Sequence, residues 1–228
     1  MSSSPAPAKS ADLKSRLFDG ITRRDVSSIL EASTLQQVFA NTVVFHQGDT
    51  AHSLYLLVEG RGRYFYNTPE GRKVLLPWIM PSDIFGVATL LSDSTSYLVS
   101  TESVTDSFVF QWERVSIRGL AGRYPRLLEN AFSIATDLMH WAVDAHVGLA
   151  CHSARERLAQ TLLNLAHDIG EKGRDGIELN LKNEELADAA SVTRFTVSRL
   201  MSEWDRRGIL KKSRGKVLLR SPEKLFTP

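Results

Sequence analysis

Arg194, Phe195, Ser198 and Arg199 fall at the spacing that places them together on one surface of a single helix. Guanidinium, hydroxyl and aromatic groups presented this way can hydrogen-bond base edges or phosphates, or pack on a thymine methyl, from a helix in a major groove. Thr193 and Thr196 stand in the same first turn, and Lys212, Arg214 and Lys216 follow in a basic tip between two apolar runs. No comparable constellation suits catalysis or metal binding. His140, His146 and His152 are each six residues apart, which turns successive side chains by about 240° and scatters them around a helix. No His pair stands at i and i+4, so no single helix offers a metal face. Cys151 beside His152 points away from it on a helix, without a third orienting group. The expectation is a chain with no catalytic and no metal residues, not an enzyme, with His146 alone kept as a pH-sensitive or axial-ligand candidate.

The elements that must carry such a surface come from a chain of 228 residues, 43% apolar and 24% charged, which can bury a core without staples. A single cysteine excludes a cysteine-rich zinc or iron–sulfur site. The longest apolar runs fall well short of the roughly 20 residues of a membrane-spanning helix. Residues 1–10 lack an apolar h-region and read as a disordered tail, so a cytoplasmic protein is expected. The net charge of +2 conceals an asymmetry, −2 over residues 1–152 against +4 over 153–228. Residues 191–224 hold ten Lys and Arg against three acids, an electrostatic footprint for a polyanion.

Helical spacing over residues 11–32 predicts two short helices. Short β-branched and aromatic runs at 43–45, 54–58, 63–66, 74–79, 97–99 and 108–112, punctuated by turn residues, predict an antiparallel roll or barrel, with a short helix inserted at 85–91. Residues 125–150 carry two apolar stripes at 3/4 spacing, Phe132, Ala135, Met139, Ala142, His146, Leu149 and Ile134, Leu138, Trp141, Ala145, Gly148. One can cover the β unit while the other meets a second copy, which predicts a homodimer; a single buried helix is the alternative. After a helix at 155–169 and a glycine-rich linker at 170–176, residues 183–190 and 193–207 read as a helix-turn-helix capped by Asn183 and Thr193. Leu186, Ala189, Val192, Val197 and Leu200 lock the two helices, and residues 209–219 form the wing.

The segments Val44-Phe45-His46-Gln47-Gly48-Asp49-Thr50-Ala51, Leu54-Tyr55-Leu56-Leu57-Val58-Glu59-Gly60 and Phe85-Gly86 resemble the β-roll signatures of the CRP/FNR family of bacterial transcription regulators. Residues 157–166 are similar to that family's first DNA-domain helix, and 193–200 to its recognition helix. The resemblance runs from about residue 35 to 219. It implies a cyclic-nucleotide-binding-like, double-stranded β-helix sensor at 11–122, a dimerisation helix at 123–151 and a winged helix-turn-helix at 152–228, an α+β architecture. The implied partners are a second copy of the chain and double-stranded DNA carrying an inverted repeat; RNA polymerase is a further candidate and no membrane is involved.

Where cyclic-nucleotide-binding relatives place a Glu for the ribose, an Arg and a Ser for the phosphate, and a Thr-Ser pair for the purine, this chain has Val87, Tyr97, Leu98 and Ala142-Val143. A phosphate there would lose hydration without gaining a guanidinium, so control by cyclic AMP is not expected. Val87, Tyr97, Leu98, Ala142, Val143 and His146 remain as an apolar effector pocket, filled by its own side chains or holding haem or another non-nucleotide molecule. No cofactor is required. Phe195 stands where many relatives have a Glu, so the half-site is expected to differ at that base pair, with Arg199 reading a guanine. Ser191, where relatives often have Gly, implies a strain of roughly 1 kcal/mol if its φ is positive. The rival reading is a small-molecule or protein-interaction module whose DNA domain is vestigial.

Overall fold

A computed structural model describes residues 14–91, 95–213 and 215–227, the side chain of Asp168 excepted. The expected tail, residues 11–13 of the first helical segment, and Arg214 lie outside the described residues. The chain divides into two compact units, Met1–Met139 and His140–Pro228.

The first unit opens with a 3-10 turn, Arg16–Phe18, and helix α1, Arg23–Glu31, whose N-cap Thr22 accepts a hydrogen bond from the Asp25 amide. Eight strands follow: β1 (Thr34–Val38), β2 (Val43–Phe45), β3 (Ser53–Glu59), β4 (Gly62–Asn67), β5 (Lys73–Ile79), β6 (Ile84–Phe85), β7 (Ser100–Ser103) and β8 (Ser107–Glu113). They form two antiparallel sheets, ordered β1-β8-β3-β6 and β2-β7-β4-β5. The inserted helix is a 3-10 turn, Val87–Leu90, and α2, Arg114–Arg123, closes the roll.

Alternation along β3 supplies two cores at once. Leu54 and Leu56 join Leu17, Ile29, Trp112, Ile117 and Leu127 under the helices, where Trp112 Nε1 donates to the Ile29 carbonyl at 2.7 Å. Tyr55 and Leu57 turn the other way, into the roll interior with Phe45, Tyr64, Phe85, Tyr97 and Val109. Gly60, at φ +96°, lets the chain turn from β3 to β4 where a Cβ would overlap the Ser107 hydroxyl.

Helix α3, Pro125–Cys151, runs from the first unit into the second. Leu127 and Ala131 are buried, and Ile134 and Leu138 pack on the roll's two cores. The other stripe is bare in the protomer: Phe132 is 70%, Met139 67% and Leu149 55% exposed.

The second unit continues with α4 (Ala154–Asp168), β9 (Glu171–Gly173), β10 (Gly176–Leu179), α5 (Asn183–Ala189), α6 (Arg194–Arg206), β11 (Leu210–Ser213) and β12 (Lys216–Leu219). The strands form one antiparallel sheet, ordered β11-β12-β10-β9, and Leu158, Leu162, Leu186, Val197, Met201 and Trp204 make the core.

Two sequence expectations change. The segment expected as a strand at 97–99 is irregular, and β7 begins only at Ser100, because the Tyr97 backbone bonds the loop before β3 instead: its amide donates to the Asp49 carbonyl and its carbonyl accepts from the Gly48 amide. The glycine-rich linker at 170–176 is a β-hairpin, since β10 finds a partner in β12 that local composition does not reveal.

Behind the second sheet, Glu102 is held by Arg63 Nε and Lys73 Nζ, each at 2.6 Å. Burial alone would push its carboxyl up, but the hydrogen bonds from Lys73 and Arg63 outweigh that and hold it below the ordinary carboxylate value. A carboxylate depressed in the folded state contributes stability above its unfolded value, and that contribution is lost as pH falls through the lower folded value. Glu102→Gln is therefore expected to flatten the acid limb of the stability profile below about pH 4.5, as read by denaturant unfolding between pH 6 and 3.

Candidate nucleic-acid interface and sensor cavity

Helix α6 has to bury one face and offer the other. Val197, Leu200, Met201 and Trp204 are buried in the core of the second unit, which leaves Arg194, Phe195, Ser198 and Arg199 exposed. Phe195 is 78% exposed, a large apolar ring facing water with nothing among the described residues to cover it. Thr193 caps the helix, its Oγ1 accepting from the Thr196 amide at 3.1 Å, while the Thr193 and Thr196 hydroxyls share a 2.9 Å hydrogen bond. The expected cap at Asn183 is corrected: Asn183 is the first helical residue of α5, and the end is satisfied by Glu185, whose Oε2 accepts from the Lys182 amide at 2.9 Å.

The basic groups are partly engaged within the unit. Arg194 pairs with Glu184 of α5. Arg199 has no hydrogen-bond or ion-pair partner among the described residues. In the wing, Lys212 Nζ donates to Ser202 Oγ of α6 at 2.6 Å, which ties β11 to the helix. Lys216 Nζ donates to Glu178 Oε1 at 2.6 Å, and that carboxylate holds the lysine above its ordinary value. Glu203 anchors α6 to α4 through Arg155 Nη2 at 2.5 Å, a bond that keeps its carboxyl below the ordinary range. Glu184 and Glu178 escaped the sequence reading because they lie ten and 38 residues from the basic groups they meet, a pairing with no periodic signature.

In the first unit, Tyr97 is 5% exposed. Its ring stacks on Phe45 at 3.7 Å between centroids. Its hydroxyl accepts from the Ser53 amide at 2.9 Å and donates to the Ser53 carbonyl at 2.7 Å. Gly86, at φ +81°, lets the chain pass so close that a Cβ would stand 2.7 Å from the same carbonyl. A partly open cavity of about 10 Å³, about one water in size, lies in the roll beside the buried Thr101 hydroxyl, which has no hydrogen-bond partner among the described residues. Val87 packs on the helix-covered core, Tyr97 borders an open depression of about 380 Å³ with Asp49, Thr50 and His52, and Leu98 is 82% exposed. The irregular backbone after Tyr97 turns the Leu98 side chain to solvent. Ala142, Val143 and His146 lie exposed on α3 in the second unit.

Comparison with known proteins matches residues 35–124 to the cyclic nucleotide-binding domain and residues 156–226 to the Crp-like helix-turn-helix domain, in that order. The chain belongs to the CRP/FNR family of transcription regulators. The transcriptional regulator LdrP of Thermus thermophilus is 29% identical over 175 residues, covering 73% of this chain and 82% of that one. The CRP-like cAMP-activated global transcriptional regulator of Mycobacterium tuberculosis is 23% identical over 211 residues, 92% of this chain and 94% of that one. The fold is shared with the structure of the c-di-GMP-responsive regulator CLP of Xanthomonas campestris, at TM-score 0.77 and 19% identity over 87% of this chain and 99% of that one. No helix among the described residues is long and apolar enough to cross a membrane.

In this CRP/FNR chain the turn before the recognition helix places Ser191 at φ +50°, the left-handed conformation that glycine adopts without cost. Relief of about 1–2 kcal/mol of strain against an added unfolded-state entropy of about 0.4–1 kcal/mol leaves Ser191→Gly stabilising by roughly 0.5–1 kcal/mol, measured as a shift in the urea midpoint at unchanged slope.

Proposed function

We propose that the protein is a homodimeric, sequence-specific DNA-binding regulator whose activity cyclic AMP does not control. The observation that carries the reading is the exposed face of α6, on which Arg194, Phe195, Ser198 and Arg199 all stand in solvent. Arg199 reads a guanine and Phe195 packs on a thymine methyl; Arg194, Ser198, Thr193 and Thr196 add base or phosphate contacts, and Lys212, Arg214 and Lys216 of the wing meet the backbone. The bare stripe of α3, with Phe132, Met139 and Leu149, supports pairing of two copies along that helix. Two-fold pairing requires a two-fold site, an inverted repeat with half-sites about one DNA turn apart. Such a regulator works in the cytoplasm, with RNA polymerase as a candidate partner.

Tyr97 supports independence from cyclic AMP. The position that supplies a guanidinium in nucleotide-binding relatives holds a ring stacked on Phe45 and a hydroxyl already bonded twice to Ser53. A nucleotide phosphate there would lose hydration without meeting a guanidinium.

Binding of the ligand-free protein to inverted-repeat and scrambled DNA, at two salt concentrations, tests the first part. The expected result is selective binding whose logarithm falls with log salt by about 0.9 per phosphate neutralised, with Arg199→Ala losing about 1–3 kcal/mol of discrimination at one base pair. Equal, salt-insensitive affinity for both DNAs would overturn it in favour of a vestigial DNA domain. Calorimetric titration with cyclic AMP tests the second part: no binding is expected in the micromolar range, and a micromolar isotherm sinks the reading.

A further inference from the structure

Arg157, in the first turn of α4, spends its whole guanidinium on backbone carbonyls. Nη1 donates to the His152 carbonyl at 2.8 Å, one residue beyond the end of α3. Nε donates to the Ala190 carbonyl and Nη2 to the Ser191 carbonyl, each at 3.2 Å. Carbonyls at helix C-termini lack intrahelical partners, and a cation satisfies both their hydrogen bonds and their charge. One side chain therefore closes the ends of α3 and α5 together. Its planar fork fixes both ends in one geometry, which a flexible ammonium cannot do. Ser191 is also the left-handed residue of the turn, two positions before the Thr193 cap, so its conformation sets the direction in which α6 departs.

We propose that Arg157 is a positioning residue for DNA recognition, holding the recognition helix at a fixed offset from the C-terminal end of α3. The proposal rests on the reading of a dimer joined along α3 and bound to an inverted repeat. In such a dimer the offset sets the distance and rotational phase between the two recognition helices. The core of the unit, with Leu158, Val197 and Trp204 buried, does not depend on the half-exposed Arg157, so its removal leaves a folded domain with a loosened α6.

The test compares wild type, Arg157→Gln and Arg157→Lys on a single half-site and on inverted repeats whose spacer is changed in steps of one base pair, each step adding about 35° of rotation. Wild type is expected to prefer one spacer. Arg157→Gln should keep single half-site affinity within about twofold and lose roughly tenfold or more on the best spacer, with little further loss on the others. Arg157→Lys, with the charge but not the fork, should fall between. A merely stabilising role predicts equal loss on every DNA, including the half-site. That pattern, or an unchanged spacer profile in both variants, overturns the proposal. Should Arg157→Gln fail to fold, the Arg157→Lys profile decides. Wild type without spacer preference overturns the inverted-repeat reading and this proposal with it; a wild-type preference that both variants retain overturns this proposal alone.

Discussion

Burial of β3 on both faces is the constraint on which the first unit depends. Leu54 and Leu56 complete the core beneath the helices, while Tyr55 and Leu57 complete the roll interior, so no register slip exposes one set without emptying a core. Each of these side chains contributes about 1.5–3 kcal/mol on burial, and both sheets are organised around them. Ser53, at the head of the strand, adds polar order: its backbone meets the Tyr97 hydroxyl, its carbonyl also accepts from Thr89 Oγ1 at 2.8 Å, and its own hydroxyl accepts from Gln111 at 2.7 Å. Thr89 and Tyr97 are thereby both tied to the same residue at the head of β3.

The second unit solves a different problem, since a recognition surface must stay exposed and still be held firmly. The buried face of α6 supplies the hydrophobic anchor, Thr193 caps its start, and Arg155 and Lys212 tie it laterally through Glu203 and Ser202. The acids Glu184 and Glu178 partly neutralise Arg194 and Lys216. These pairs are exposed, so they contribute little to stability; their effect is to moderate a positive surface that would otherwise favour any polyanion. The strain at Ser191 belongs to the same economy: a turn held in an unfavourable conformation by Arg157 from outside keeps one geometry.

Much of this was legible from residues alone, for reasons that differ by element. Strands β3, β4, β5 and β8 announce themselves because β-branched and aromatic runs and turn residues are local signals, and the Thr193 cap is a local hydrogen bond. The Asn183 cap misled because Asn183 is already helical, and the end is satisfied instead by Glu185 reaching back to the Lys182 amide. The hairpin at 170–179 was hidden because its pairing with β12 joins residues about 40 positions apart. The apolar run after Tyr97 read as a strand for the opposite reason, local composition outvoted by backbone bonds to Asp49 and Gly48.

Local periodicity and chemistry in the sequence were enough to mark the two stripes of α3 and the basic exposed surface of α6, because each is a matter of which residue stands where. The tertiary structure alone decided which stripe is buried, that Leu98 faces solvent while Tyr97 fills the roll, that Glu184 and Glu178 reach the basic surface, and that Arg157 joins two helix ends. Those outcomes turn on contacts between distant residues, and the energy of a contact is set by the geometry that brings its partners together, which no local pattern encodes.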